Sequence, residues 1–137
     1  MSYEILADKE AAWQFYVERT GSGSRTEHQK GLLLKRLGEP VAAVVYDQFN
    51  GSNIFMHVAA VPGKKWMNRH FLHEAFKYPF VTMGCRRITG WVWADNIEAQ
   101  KFDEHLGFKR EAVLKDAAGP GQDVYLYVMF RDECKYA

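Results

Sequence analysis

The run Val41-Ala42-Ala43-Val44-Val45 is apolar at every position. Successive side chains of a strand point to opposite sides of its sheet, so a strand with one wet face alternates. A run without alternation needs cover on both faces, and this chain therefore requires a sheet with helices on either side. Neighbouring runs supply the partners. GLLLKRL precedes it across Gly38-Glu39-Pro40, which is hairpin spacing, and IFMHVAAV follows the turn cluster Asn50-Gly51-Ser52-Asn53.

Three stretches read as the helices such a sheet needs. ADKEAAWQFYVERT offers Asp8 as N-cap and Ala12, Phe15 and Tyr16 as an apolar face, ending at the Gly/Ser run from Gly21 to Ser24. Phe71, Leu72, Ala75 and Phe76 fall at helical spacing, with Asn68 as the cap and Pro79 as the stop. Asp95 and Glu98 have capping-box spacing before a third helix, whose stripe is Ala99, Phe102 and Leu106 and whose stop is Gly107. The strands ITGWVWA, FKREAVLKD and VYLYVMF complete the order: helix, three strands, helix, strand, helix, two strands. With 137 residues and no composition break, residues 1–137 read as a single domain of mixed α/β (α+β) class with one core.

The formal net charge is +1, which gives no argument for a membrane surface and argues against nucleic acid as a partner. Lys64-Lys65 and Arg86-Arg87 read as small basic surface patches. No apolar run reaches the length of a membrane span, and MSYEILADKE lacks a signal-peptide pattern, so a cytoplasmic protein is expected. Cys85 and Cys134 then read as free thiols. His70 and His73 lie three apart beside Glu74, but no further ligand follows at convincing spacing, and no metal site is expected. Trp91 with Trp93, and Tyr125 with Tyr127, alternate on strands, which suggests core or subunit interface and is compatible with a homodimer.

The spacing Asn96-x-x-Ala99-x-x-Phe102, followed by Leu106-Gly107-Phe108-Lys109-Arg110-Glu111, resembles the signature of the GNAT acyl-CoA N-acyltransferases. Gly121-Gln122-Asp123, the strand YLYVMF and the tail from Arg131 to Cys134 resemble the end of such domains, and the likeness spans residues 30–134. WMNRHF, YPF, CRRIT and the Asn96-x-x-Ala99 pair are most similar to GNAT-like domains of phages and prophages. The resemblance implies a GNAT-like fold: a mostly antiparallel twisted sheet, splayed after IFMHVAAV and flanked by helices. It also implies transfer of an acetyl group from acetyl-CoA, used as cosubstrate, to a primary amine. Such a reaction needs a base for the amine, stabilisation of an oxyanion and a proton for the departing thiolate. The alternatives are a catalytically degenerate GNAT-like structural or interaction protein, phage-related, and an acyl-CoA-binding sensor.

Residue by residue, the resemblance lays the pantetheine arm along Ala59, Ala60 and Val61, whose small side chains permit close approach. His57 is the titratable group within that strand and a candidate general base, because an imidazole changes charge near neutral pH. A structural histidine satisfied by a neighbour is the alternative. Asn96 can cap the helix it opens and is also expected to reach the thiol end of coenzyme A, although Asp95 could supply the cap instead, and Phe102 is expected to lie beside the pantetheine or in the core. Asp103 stands where many members of the family carry a tyrosine that protonates the thiolate. An ionised Asp holds no proton near neutral pH unless burial raises its pKa, so Asp103 is expected to face solvent or a substrate amine. The pyrophosphate loop of the family falls on VPGKKWMNRHF, where Met67, Asn68 and Arg69 stand in place of the usual glycines. Backbone N–H groups at the start of a helix, supplemented by Lys64, Lys65 and Arg69, are expected to hold the phosphates.

Overall fold

The computed structural model of the chain describes residues 2–21, 30–62 and 68–137. Seven strands form one sheet in the order β1-β2-β3-β4-β5-β7-β6. The elements run β1 (Tyr3–Leu6), α1 (Lys9–Thr20), β2 (Lys30–Arg36), β3 (Glu39–Asp47), β4 (Asn53–Ala60), α2 (Arg69–Lys77), β5 (Arg87–Trp93), α3 (Ile97–Leu106), β6 (Lys109–Gly119) and β7 (Gln122–Phe130). Every neighbouring pair is antiparallel except β4 with β5.

The apolar run of β3 is covered on both faces, as its lack of alternation requires. Ala43 and Val45 point toward α1 and share a cluster with Ala12, Trp13 and Leu33. Ala42, Val44 and Tyr46 point the other way, into a larger core with Phe71, Leu72, Ala75 and Phe76 of α2. The Tyr46 hydroxyl is donated to the Ala75 carbonyl, which satisfies it in the core. α3 lies on the α2 side, where Leu106 joins Ile88 and Val92 of β5.

The strand β1 was not anticipated. Its four residues are too short for periodicity to register, and it survives as an edge strand by pairing with β2. Asp8 and Asn68 cap α1 and α2, accepting from the Ala11 and Phe71 N–H groups. α2 ends at Lys77, just ahead of Pro79 as expected, but the coil does not stop there. The coil widens into a π turn over Tyr78–Thr82, closed by the Met83 N–H donating to the Tyr78 carbonyl, and Pro79 sits in its first turn, where no N–H is required. The expected capping box at Asp95 does not form: the cap of α3 is Asn96, whose side chain accepts from Ala99 N–H. Arg87, expected on a basic surface, makes two hydrogen bonds to the Glu111 carboxylate. No described helix is long and apolar enough to cross a membrane.

Gly31 fixes how closely α1 can approach the sheet. A Cβ at this position would lie 2.7 Å from the Ala12 Cβ and 3.4 Å from the Lys9 Cα. Gly31→Ala is therefore expected to push the helix outward and lower stability by about 1–3 kcal/mol. In a urea titration this appears as a lower midpoint at unchanged slope. A midpoint equal to that of the wild type contradicts the close approach.

Candidate active site

The strands β4 and β5 pair over three positions only: Asn53 with Arg87, Ile54 with Ile88, and Phe55 with Thr89. A polar cluster fastens that end. Thr89 donates to the Asn53 side-chain oxygen at 2.6 Å, Arg87 donates to the same oxygen and to the Thr89 hydroxyl, and the Arg87 guanidinium grips Glu111. The pair of bonds from Arg87 holds the Glu111 carboxyl below its ordinary pKa. Beyond Phe55 the strands diverge. β4 stays paired with β3 as far as Ala60, and β5 stays paired with β7 as far as Trp93. The opening thus begins inside IFMHVAAV rather than at its end. Between the strands lies a cavity of about 680 Å³, and alternate backbone groups of β4 face it instead of another strand.

One wall carries a histidine–carboxylate pair. His57 lines the cavity, and its Nε2 lies 3.1 Å from Oδ1 of Asp47 on β3. Both side chains are largely buried, at 15% and 11% exposure. An ionised carboxylate can only accept, so this contact places the hydrogen on Nε2 and leaves Nδ1 as the nitrogen able to take a proton. Trp13, Tyr16 and Phe55 pack around the ring and hold its plane. The same side of the cavity is lined by Tyr16, Arg19 and Thr20 at the end of α1 and by the exposed Trp91 and Trp93.

The opposite wall is α3, presenting Asn96, Ala99, Phe102 and Asp103. The helix is clamped by buried polar contacts. Gln100 donates to the Ala94 carbonyl at 2.8 Å, and the Tyr127 hydroxyl donates to Glu104 at 2.7 Å. Gly107, at φ +111°, turns the chain out of the helix in a conformation that favours glycine. Asp103 packs against Gly90 of β5, where an added Cβ would stand 3.3 Å from its Oδ2. A glycine inside a strand marks such a close approach. Burial, with the Glu104 carboxylate as a second and smaller cause, pushes the Asp103 carboxyl up to about 7. Of the two expected surroundings for Asp103, solvent or a substrate amine, the helix gives it the cavity wall, with no cation in contact with its carboxyl among the described residues.

The structure sorts the remaining expected residues plainly. His57, Ala60, Val61, Asn96 and Phe102 come together around the cavity. Ala59 is buried and is not among the residues that line the cavity. Asn96 does cap α3, which engages its Oδ1 and leaves the amide nitrogen for the cleft. Asn68 and Arg69 stand at the start of α2, outside the cavity lining, and Lys65 and Met67, like Lys64, lie outside the described residues. The Asn68 amide nitrogen is buried without a partner among the described residues. His70 and His73 are engaged elsewhere, with the Tyr3 hydroxyl and the Tyr136 carbonyl. Cys85 and Cys134 are free thiols. Asp47, Gly90 and the tryptophan pair were not singled out for the site from sequence. The signals that could have found them are an acidic end to an apolar strand and a glycine between β-branched and aromatic residues.

No protein-family model matches the chain, and no curated protein matches it. Solved structures do. A point mutant of the spermidine N-acetyltransferase of Vibrio cholerae superposes with a TM-score of 0.76 at 15% identity, covering 95% of this chain and 94% of that one. The same organism's enzyme in complex with CoA and spermine gives a TM-score of 0.74 at 14% identity, with 96% of each chain covered. Its dodecameric form in an intermediate state gives 0.73 at 14% identity, covering 95% and 94%. The chain has the GNAT acyltransferase fold.

The Asp103 carboxyl ties stability to pH. Its pKa is raised from 3.8 to about 7 on folding, so between those values the folded chain keeps a proton that the unfolded chain has released. Stability therefore falls as pH rises through that window, by at most about 4 kcal/mol once it is passed. Asp103→Asn, which cannot ionise, is expected to raise the denaturant midpoint above that of the wild type at about pH 8 and to leave it nearly unchanged at about pH 4. Equal midpoints at the higher pH would show that the carboxyl is not held in a desolvated place.

Proposed function

We propose that the chain is an N-acetyltransferase that moves an acetyl group from acetyl-CoA to a primary amine by direct attack. The observation that carries this reading is the opening between β4 and β5, which brings the His57–Asp47 pair to a cavity bordered by unpaired strand backbone. The fit to the cosubstrate rests on that free backbone edge, whose N–H and C=O groups match the amides of a pantetheine arm. Acetyl-CoA, when bound, supplies the acetyl group as an activated thioester. Ala59, Ala60 and Val61 offer it a close backbone track, and Asn96 and Phe102 close over the track from α3. The start of α2 suits the phosphates, since the Asn68 amide nitrogen has no acceptor among the described residues and Arg69 adds charge. Lys65 and Met67, next to these residues in sequence, are proposed for the same role.

His57 takes the proton of the incoming amine on Nδ1. Asp47 holds the ring in the tautomer that makes this nitrogen available and stabilises the charge the ring acquires. Trp91, Trp93 and Tyr16 give the acceptor side aromatic faces, against which an alkylammonium chain packs favourably. Polyamines are acceptors that suit such a wall, and spermidine is the acceptor in the names of the matched enzymes.

Calorimetric titration with acetyl-CoA, followed by thiol release across spermidine, a peptide N-terminus and a lysine peptide, tests the reading. Binding and amine-dependent thiol release are expected, and a wild type that does not bind acetyl-CoA defeats it. His57→Gln is expected to lower kcat by about 10²–10⁴-fold while leaving acetyl-CoA affinity intact. Unchanged turnover removes the histidine from the mechanism.

A further inference from the structure

A base on one wall accounts for half of the proton traffic. When the thioester carbon is attacked, the sulfur departs with the bonding electron pair and needs a proton of its own. His57 is taking a proton up at that stage and is not the source.

We propose that Asp103 is the catalytic acid that protonates the departing thiolate; the proposal rests on the acetyltransferase reading above. Three observations carry it. The carboxyl lies in the cavity wall opposite His57, against a strand residue that has no side chain to shield it. It makes no side-chain hydrogen bond or ion pair among the described residues, so its proton is not committed to a structural partner. Its position is set by contacts other than its own, because Gln100, Tyr127 and the Gly107 turn hold the helix on either side of it. A group fixed by its neighbours and itself unpartnered can serve a reacting atom without first breaking a bond.

The surrounding charges favour the protonated form. α3 contributes Glu104 and Glu98, β4 His57, α1 Tyr16 and Arg19, and β7 Tyr127, whose hydroxyl is given to Glu104. Two cations belong to these surroundings: Arg19 stands on the α1 side of the cavity, and Arg110 of β6 is engaged with Gln100, Tyr127 and Glu104. Burial and Glu104 together keep a proton on Asp103 up to about neutral pH. The step balances simply. The carbon–sulfur bond breaks, its electron pair stays on sulfur, and the Asp103 O–H proton forms the thiol. The amine proton rests on His57, and solvent returns one proton to Asp103 as His57 releases the other. An aspartate thus fills the place of a phenol by burial rather than by intrinsic acidity.

Three variants and two readouts test this. Carboxyl-carbon NMR of the wild type, with Asp103→Asn to assign the signal, is expected to place the Asp103 titration near 7, with or without acetyl-CoA. Titration in the ordinary carboxylate range overturns the proposal without reference to turnover. In steady state with spermidine and the peptide amines, Asp103→Asn is expected to lose about 100-fold or more in kcat at unchanged acetyl-CoA affinity by calorimetry. The wild-type kcat should fall as pH rises through about 7, as loss of an acid requires. Asp103→Tyr should retain turnover and carry that fall toward the range of a phenol, whereas Asp103→Leu should behave as Asp103→Asn. A fall that stays at the same pH in Asp103→Tyr, or an undiminished kcat in Asp103→Asn, overturns the assignment while leaving the acetyltransferase reading intact. Absence of acetyl-CoA binding or of thiol release by the wild type overturns both.

Discussion

The three-residue parallel contact between β4 and β5 is the constraint on which the rest of the molecule depends. It is long enough to join two halves of a sheet into one core and short enough to leave most of both strands unpaired with each other. Its shortness has a geometric consequence. His57 projects from the α1 side of β4, and Asp103 descends from the α3 side onto Gly90. In a continuous sheet these groups would be separated by a layer of backbone. Here they line one cavity, because the layer has parted between them. The ladder bonds forgone are each worth about 0.5–1.5 kcal/mol, and β3 and β7 supply pairing on the outer sides of both strands. The Arg87–Asn53–Thr89–Glu111 cluster then fixes where the parting starts.

Two aspartates border this region, and their surroundings give them different chemistry. Asp47 has the His57 imidazole at 3.1 Å, a contact that makes it an orienting acceptor. Asp103 has a glycine below it, an acidic neighbour beside it and no cation at contact distance, which favours its protonated form. Environment alone separates an acceptor from a donor here, as opposed surroundings do wherever two like groups serve one reaction.

Most of the fold was legible because it is written in periodicity. The unalternating Val41–Val45, the helical spacing of Phe71 to Phe76 and the Gly107 stop each specify an element through nearest neighbours in sequence. β1 was not legible, since four residues carry too little pattern and its stability comes from pairing with β2, far along the chain. The site divides in the same way. His57, Asn96 and Phe102 sit at positions set by strand or helix register, and register can be counted. The role of Asp103 could not be counted. It depends on Gly90 in another strand, on Tyr127 drawing Glu104 to its side, and on the absence of a counterion, none of which lies within a helical turn of it. The reading of Asp95 as the α3 cap failed for a related reason: two adjacent residues can both cap, and the Asn96 N–H bond back to the Trp93 carbonyl decides which backbone is extended and which is helical.

The same features that equip the cleft weaken the fold. Unpaired strand edges, a desolvated carboxyl beside a second acid, and a buried Asn68 donor without a partner among the described residues each oppose folding. None is needed to build the sheet, and a more stable chain with the same topology would pair β4 to β5 throughout and place an apolar residue at 103. The first two of these costs meet at one cavity, away from the satisfied Tyr46 hydroxyl and Gln100 amide, whereas the Asn68 amide and the Trp13 Nε1 are buried outside its lining, without partners among the described residues.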